Sequence, residues 1–104
     1  MSYKDDFGFD FELGFDLSMH PYLHDKSYSN DDCPSFYFCK GSQYYIFWVD
    51  FFDKNKRENE NTFRYTLQLA DNEGTSHEPE VYANNGDIVF ENEILTVQDI
   101  RDLI

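Results

Sequence analysis

An α+β architecture is expected for this chain of 104 residues, with an antiparallel or mixed sheet of about five strands and a short C-terminal helix packed on one face. Three features carry that expectation. Phe7, Phe9, Phe11, Leu13, Phe15, Leu17 and Met19 alternate with Gly8, Asp10, Glu12, Gly14, Asp16 and Ser18, and period two marks a strand with one buried face. Two aromatic-rich runs, Ser35 to Cys39 and Tyr44 to Phe52, flank a turn containing Gly41, which is the pattern of a β-hairpin. Val97, Ile100, Leu103 and Ile104 recur at helical spacing and form one apolar stripe.

Taken in order, residues 7–19 make one long arm or two short strands broken at Gly14, and His20-Pro21 ends the run because proline removes a ladder donor. Residues 20–34 read as a polar loop with Pro21, Ser27, Asn30, Asp31, Asp32 and Pro34, long enough to be functional or mobile, although Tyr22, Leu23 and Tyr28 give it the means to pack. The run Tyr44 to Phe52 is apolar on both faces, so it is the expected central strand, covered on both sides. A charged loop from Asp53 to Asn61 follows, then Phe63, Tyr65, Leu67 and Leu69 alternate with Arg64, Thr66 and Gln68 as a second one-sided strand. Val81-Tyr82-Ala83 and Ile88-Val89-Phe90 flank Asn84-Asn85-Gly86-Asp87, where Asn-Gly favours a type I′ hairpin turn. Thr96 is positioned to cap the last helix, with Asp99 three residues on as an acidic capping box. Such a short helix is marginal alone and must dock on the sheet.

The length is that of one domain, residues 1–104. Aromatic residues make up 19 % of the chain, so a small core is still substantial. The 21 acidic and 8 basic side chains give a formal net charge of −13, which repels nucleic acid and anionic lipid and speeds encounter with basic proteins. Residues 1–32 hold eight acids and two bases, residues 33–70 four and five, and residues 71–104 nine and one. The two ends therefore carry the field, and the middle is a near-neutral structural segment. The longest apolar run, Tyr44 to Val49, stops at Asp50, far short of a membrane span. The N-terminus lacks a continuous apolar stretch and a small-residue cleavage site, so a cytoplasmic protein with Cys33 and Cys39 as free thiols is expected.

Chemistry is sparse. His20 and His24, with Cys33 and Cys39, offer four zinc-type ligands within twenty residues, but the C-x5-C spacing is poor for a zinc knuckle and Cys39 lies in an expected strand, so no metal or other cofactor is assigned. Asp53 to Arg57 begins like a calcium loop, yet Arg57 and Arg64 stand at its fifth and twelfth positions and glycine is missing from the sixth. No nucleophile or phosphate-loop motif occurs, and Ser76-His77-Glu78 cannot align as a triad because the residues are adjacent. No enzyme is expected. Asp10 and Glu12 stand about 7 Å apart on a strand face, as any alternating acidic strand would place them. Asp50 interrupts the most apolar strand and is expected to be buried and paired, with Arg64 as its candidate partner.

The expected partner-binding set is Asp10, Glu12 and Asp16 on the first strand face, with Tyr22, Tyr28, Asp31 and Asp32 from the following loop. Carboxylates at strand spacing supply steering and specificity, and the anchors are Tyr22, Tyr28 or an exposed tyrosine of the 35–52 hairpin. In size, charge and α+β pattern the chain resembles small acidic bacterial immunity proteins and phage-encoded inhibitors, including anti-CRISPR and anti-restriction DNA mimics. That resemblance implies an inhibitor of a basic partner, such as a nuclease toxin or a nucleic-acid-guided effector. It implies no direct nucleic-acid or membrane contact. A phage inhibitor is the alternative to an immunity protein, and a structural or accessory domain whose acidity serves solubility alone is the alternative to both.

Overall fold

The structure is a computed structural model that describes residues 2–104. It opens with a five-residue helix, α1 (Tyr3–Phe7), held by a capping box in which the Ser2 hydroxyl accepts from the Asp5 amide and the Asp5 carboxylate accepts from the Ser2 amide. The strands are β1 (His24–Asp25), β2 (Ser35–Lys40), β3 (Gln43–Val49), β4 (Tyr65–Asn72), β5 (Val81–Tyr82) and β6 (Ile88–Asn92). Every pairing is antiparallel. The order is β1-β2-β3-β4, and both β5 and β6 pair with β4. Helical content beyond α1 is limited to 3-10 turns at Leu17–Met19, Lys54–Lys56 and Ile100–Leu103. No helix is long and apolar enough to cross a membrane among the described residues.

The β2–β3 hairpin forms around Gly41-Ser42, with Lys40 opposite Gln43 and Phe36 opposite Phe47. Gly41 has φ +65°, the left-handed conformation that glycine supplies at the first central position of a two-residue turn. β3 lies between β2 and β4, as its apolar composition predicts. Side chains then divide by parity. Phe36, Phe38, Phe47, Val49, Tyr65 and Leu67 point to one side and form the main core. Ile46, Ala70 and Val81 form a smaller cluster, with Tyr37, Tyr44 and Trp48 packed beside it.

The main core is closed by irregular chain rather than by helices. The run from Phe7 to Met19 is not a strand: after α1 it crosses the core side of the sheet and finds no ladder partner. Its alternation nevertheless survives as sidedness. Leu13 is buried and Phe11, Phe15 and Leu17 pack against the core, while Glu12, Gly14, Asp16 and Ser18 face out. Phe9 and Met19 break the pattern, 89 % and 72 % exposed. Side chains of β4 and the residue before it meet the backbone carbonyls that a ladder would have met: the Tyr65 hydroxyl donates to Leu13 (2.7 Å) and Arg64 Nη2 donates to Glu12 (2.8 Å). Gly14, at φ +84°, lies where a β-carbon would collide with the Tyr65 hydroxyl, so the crossing requires glycine.

Two further expectations change. Asn84 and Asn85 adopt left-handed conformations, and the Gly86 amide closes the turn on Ala83, but the flanking strands do not pair with each other. β5 takes Asp71 and Asn72 as partners and β6 takes Tyr65 to Gln68, because the turn itself docks on β4 through Leu69 N–H to Asp87 and Gln68 Nε2 to Gly86. At the C-terminus a single 3-10 turn replaces the expected helix. Asp99, not Thr96, caps it by accepting from the Arg101 amide. Ile100 is fully buried, Leu95 and Leu103 pack on the main core, and Lys40 Nζ donates to the Arg101 and Ile104 carbonyls. The turn thus occupies the place expected of the helix.

Replacing Tyr65 by Phe keeps the ring but leaves the buried Leu13 carbonyl without its donor. The expected loss is about 1–3 kcal/mol, or roughly 4–8 °C in melting temperature for each kcal/mol in a domain of this size. Thermal unfolding of Tyr65→Phe measures it, and an unchanged midpoint would show that the crossing does not depend on this bond.

Candidate interaction surface

The side of the sheet away from the main core, only partly covered, holds a groove of about 650 Å³. Tyr37 of β2 and Ile46 and Trp48 of β3 form its floor, β5 with Glu80 forms one wall, and Lys26, Tyr28 and Asp31 form the other. The floor is fixed by the ladder, since Trp48 stands opposite Thr66 and Ile46 opposite Gln68. The Trp48 indole N–H donates to Gln68 Oε1 (3.1 Å), and the Tyr37 ring stacks on His24 at 4.8 Å. Past Asp31 and Trp48 a second hollow of about 320 Å³ continues, lined by Asp32, Cys33, Asp50 and Arg64 among others.

This surface carries a negative field. Burial pushes the Cys33 thiol well up, and the carboxylates of Asp50, Asp32 and Asp31 push it further, so the thiol stays neutral and unreactive. Burial also raises the Asp50 carboxyl, against hydrogen bonds from the Phe51 amide and the Thr62 hydroxyl that favour its charged form. The Asp32 carboxylate beside Glu58 raises the latter's pKa.

The expected binding residues fall in separate places. Asp10, Glu12 and Asp16 are exposed and line a shallow groove of about 830 Å³ that also includes Lys4, on the side closed by the N-terminal crossing. Asp16 also caps the 3-10 turn after it, accepting from the amide and hydroxyl of Ser18, and these bonds lower its pKa. Tyr28 is half exposed and lines the aromatic groove with Asp31, while Asp32 lies in the hollow next to it. Tyr22 is engaged inside the molecule: its hydroxyl accepts from the Ile100 amide (2.8 Å), meets His20 Nδ1 (2.7 Å), and its ring carries the Arg101 guanidinium at 4.1 Å. The four zinc-type residues do not converge. His20 and Cys33 are buried, His24 and Cys39 are exposed, and no group of three or more His, Cys, Asp or Glu suited to a metal occurs among the described residues.

Asp50 does not pair with Arg64. Arg64 instead turns to Glu12 and lies over the rings of Phe52 and Tyr65, both at 5.2 Å, leaving its Nε without a partner. The buried ion pair is a different one. Arg57, from the loop read as merely charged, has a fully buried side chain and forks onto both oxygens of Glu93 at 2.9 and 2.7 Å, while also donating to the carbonyls of Phe51 and Thr62. Trp48, Tyr82 and Glu80 are outside the expected binding set, while Tyr37 is one of the hairpin tyrosines offered as an anchor and is half-buried in the groove. Their signal lay in Thr66 and Gln68, whose polar side chains share the face of Trp48 and Ile46 and mark it as less fully covered than the Phe47 side.

Compared with protein-family models, curated protein sequences and solved structures, the chain finds no match.

The Arg57–Glu93 pair generates a pH prediction. The guanidinium holds the Glu93 carboxyl below its ordinary 4.5, so its contribution is complete above that value and is lost as pH falls through the lower folded value. Glu93→Gln removes that acid-side loss and costs about 1 kcal/mol at neutral pH, because the Glu93 side chain is 35 % exposed and water screens the pair. Urea unfolding of both proteins between pH 3 and 7 tests this. Parallel curves would show that another carboxylate sets the acid limb.

Proposed function

We propose that this protein is a stoichiometric inhibitor of a basic partner, a nuclease toxin or another nucleic-acid-binding enzyme, and that it occupies the surface the partner offers to nucleic acid. The observation that supports this reading most strongly is the half-buried aromatic floor of Tyr37 and Trp48 with Asp31, Asp32, Asp50 and Glu80 lining the hollows around it. Tyrosine and tryptophan in a desolvated patch act as binding anchors. Carboxylates around them favour a cationic partner and oppose nucleic acid itself. Asp10, Glu12 and Asp16 lie on the other side of the sheet and extend the negative field that steers encounter, together with the formal charge of −13.

The test begins with capture of partners from host lysate at low and high salt. Nucleic-acid cleavage by the captured nuclease is then titrated with the protein. Cleavage should stop near one equivalent. Asp31→Lys with Glu80→Lys should raise the amount needed by about tenfold or more, as expected for close charge pairs turned repulsive. Asp10→Lys, Glu12→Lys and Asp16→Lys together should chiefly slow association. Capture of no basic protein, or a captured nuclease that cleaves unimpeded, would remove the inhibitor reading.

A further inference from the structure

We propose that Trp48 is the seat for an arginine side chain of the partner, and that Lys26 holds that seat in the free protein. This rests on the inhibitor reading and names the chemistry recognised in its groove. The Lys26 ammonium stands over the Trp48 ring at 5.8 Å from the centroid, close to the outer limit of a cation–π contact. Its side chain has no ion pair or hydrogen bond among the described residues, so the contact with the ring is what holds the charge there. The groove therefore shows its preference on the protein's own chain: a cation over the indole, with Asp31 and Glu80 on the rim and no second basic residue lining it.

Arginine fits this seat better than lysine does. Its guanidinium is planar and weakly hydrated, lies flat on an indole, and directs its remaining N–H groups sideways to carboxylates. The bond from Trp48 Nε1 to Gln68 fixes the plane of the indole, so the seat is formed before the partner arrives. The exposed rings of Tyr28 and Tyr82 flank it. An extended arginine-bearing segment lying across β3 would displace Lys26, whose flexible stem lets it swing to solvent. The charge complementarity is direct, because the groove balances two carboxylates with one loosely held ammonium.

The probe is fluorescein-labelled nona-arginine, compared with nona-lysine and titrated with the intact protein by anisotropy. Nona-arginine should bind more tightly. Lys26→Ala should tighten it about two- to fivefold, the value of one exposed cation–π contact, whereas Lys54→Ala, which removes the same charge from an exposed turn, should change it little. Trp48→Leu leaves the net charge unchanged and should weaken binding by a similar factor, with thermal unfolding confirming that it folds. Tyr82→Ala at an exposed ring gives a second reading of the same groove. Equal effects of Lys26→Ala and Lys54→Ala, with Trp48→Leu silent, would overturn the proposal by showing attraction through charge alone, and the inhibitor reading would stand. Failure of nona-arginine to bind would also overturn it. The inhibitor reading is decided separately by nuclease cleavage, in which the peptide plays no part.

Discussion

The hydroxyl of Tyr65 joins the two halves of this molecule. Its ring stacks on Phe47 at 5.8 Å inside the sheet's core, and its oxygen donates to Leu13 in the chain that crosses above. A sheet of this kind must bury one face, and the usual cover is a helix, which satisfies its own backbone. Here the cover is irregular chain, so every buried carbonyl in it needs a donor from elsewhere. Tyr65 and Arg64 provide two, the Asp25 carboxylate accepts the Tyr3 amide at 2.7 Å, and the Tyr22 hydroxyl accepts the Ile100 amide. Side chains projecting from sheet and loop do the work that an internal ladder does in a helix. Tyr65 and Tyr22 each pack with the ring and bond this irregular chain with the hydroxyl.

One-sided cover has a direct consequence for function. The N-terminal crossing and the C-terminal turn both lie on the Phe47 side. The Trp48 side receives only β5, the segment around Ala83 and the loop with Lys26 and Tyr28. A strand that is apolar on both faces is therefore left with aromatic surface only partly covered. The half-buried rings of Tyr37 and Trp48 there, flanked by the exposed rings of Tyr28 and Tyr82, lie beside the carboxylates of Asp31 and Asp32.

What the sequence disclosed divides along the same lines. Local signals were legible: the Gly41 hairpin, the central strand, the one-sided alternation of β4 and the Asn84-Asn85 turn all depend on residues close together. Partnership was not. The alternation from Phe11 to Ser18 reported which side chains are buried but could not tell a strand from a crossing segment, since both alternate against a flat core. The Asn-rich turn formed, yet its flanks pair with β4 because contacts from Asp87 and Gly86 hold the turn there. Arg57 was hidden in a polar loop because its partner, Glu93, lies 36 residues away. In the expected binding set, Tyr28, Asp31 and Asp32 reach the open face, while Asp10, Glu12 and Asp16 occupy the other. The face that a carboxylate joins depends on that same long-range arrangement.

The acidic surface also works against the fold that carries it. Asp32 raises the Glu58 carboxyl, and burial raises that of Asp50. A carboxyl raised in the folded state adds stability at low pH that is lost as pH rises through its folded value, so at neutral pH these groups oppose folding. Arg57–Glu93 acts in the other direction, with the Glu93 carboxyl lowered and its contribution intact at neutral pH. Of the buried arginines, Arg57 secures the loop behind β4 through Glu93, while Arg64 lines the hollow beside Asp32 and Asp50 but directs its hydrogen bond to the Glu12 carbonyl. Like charge such as that of Asp32 beside Glu58 is relieved by any cation placed next to it, because the cation removes the repulsion and adds its own attraction.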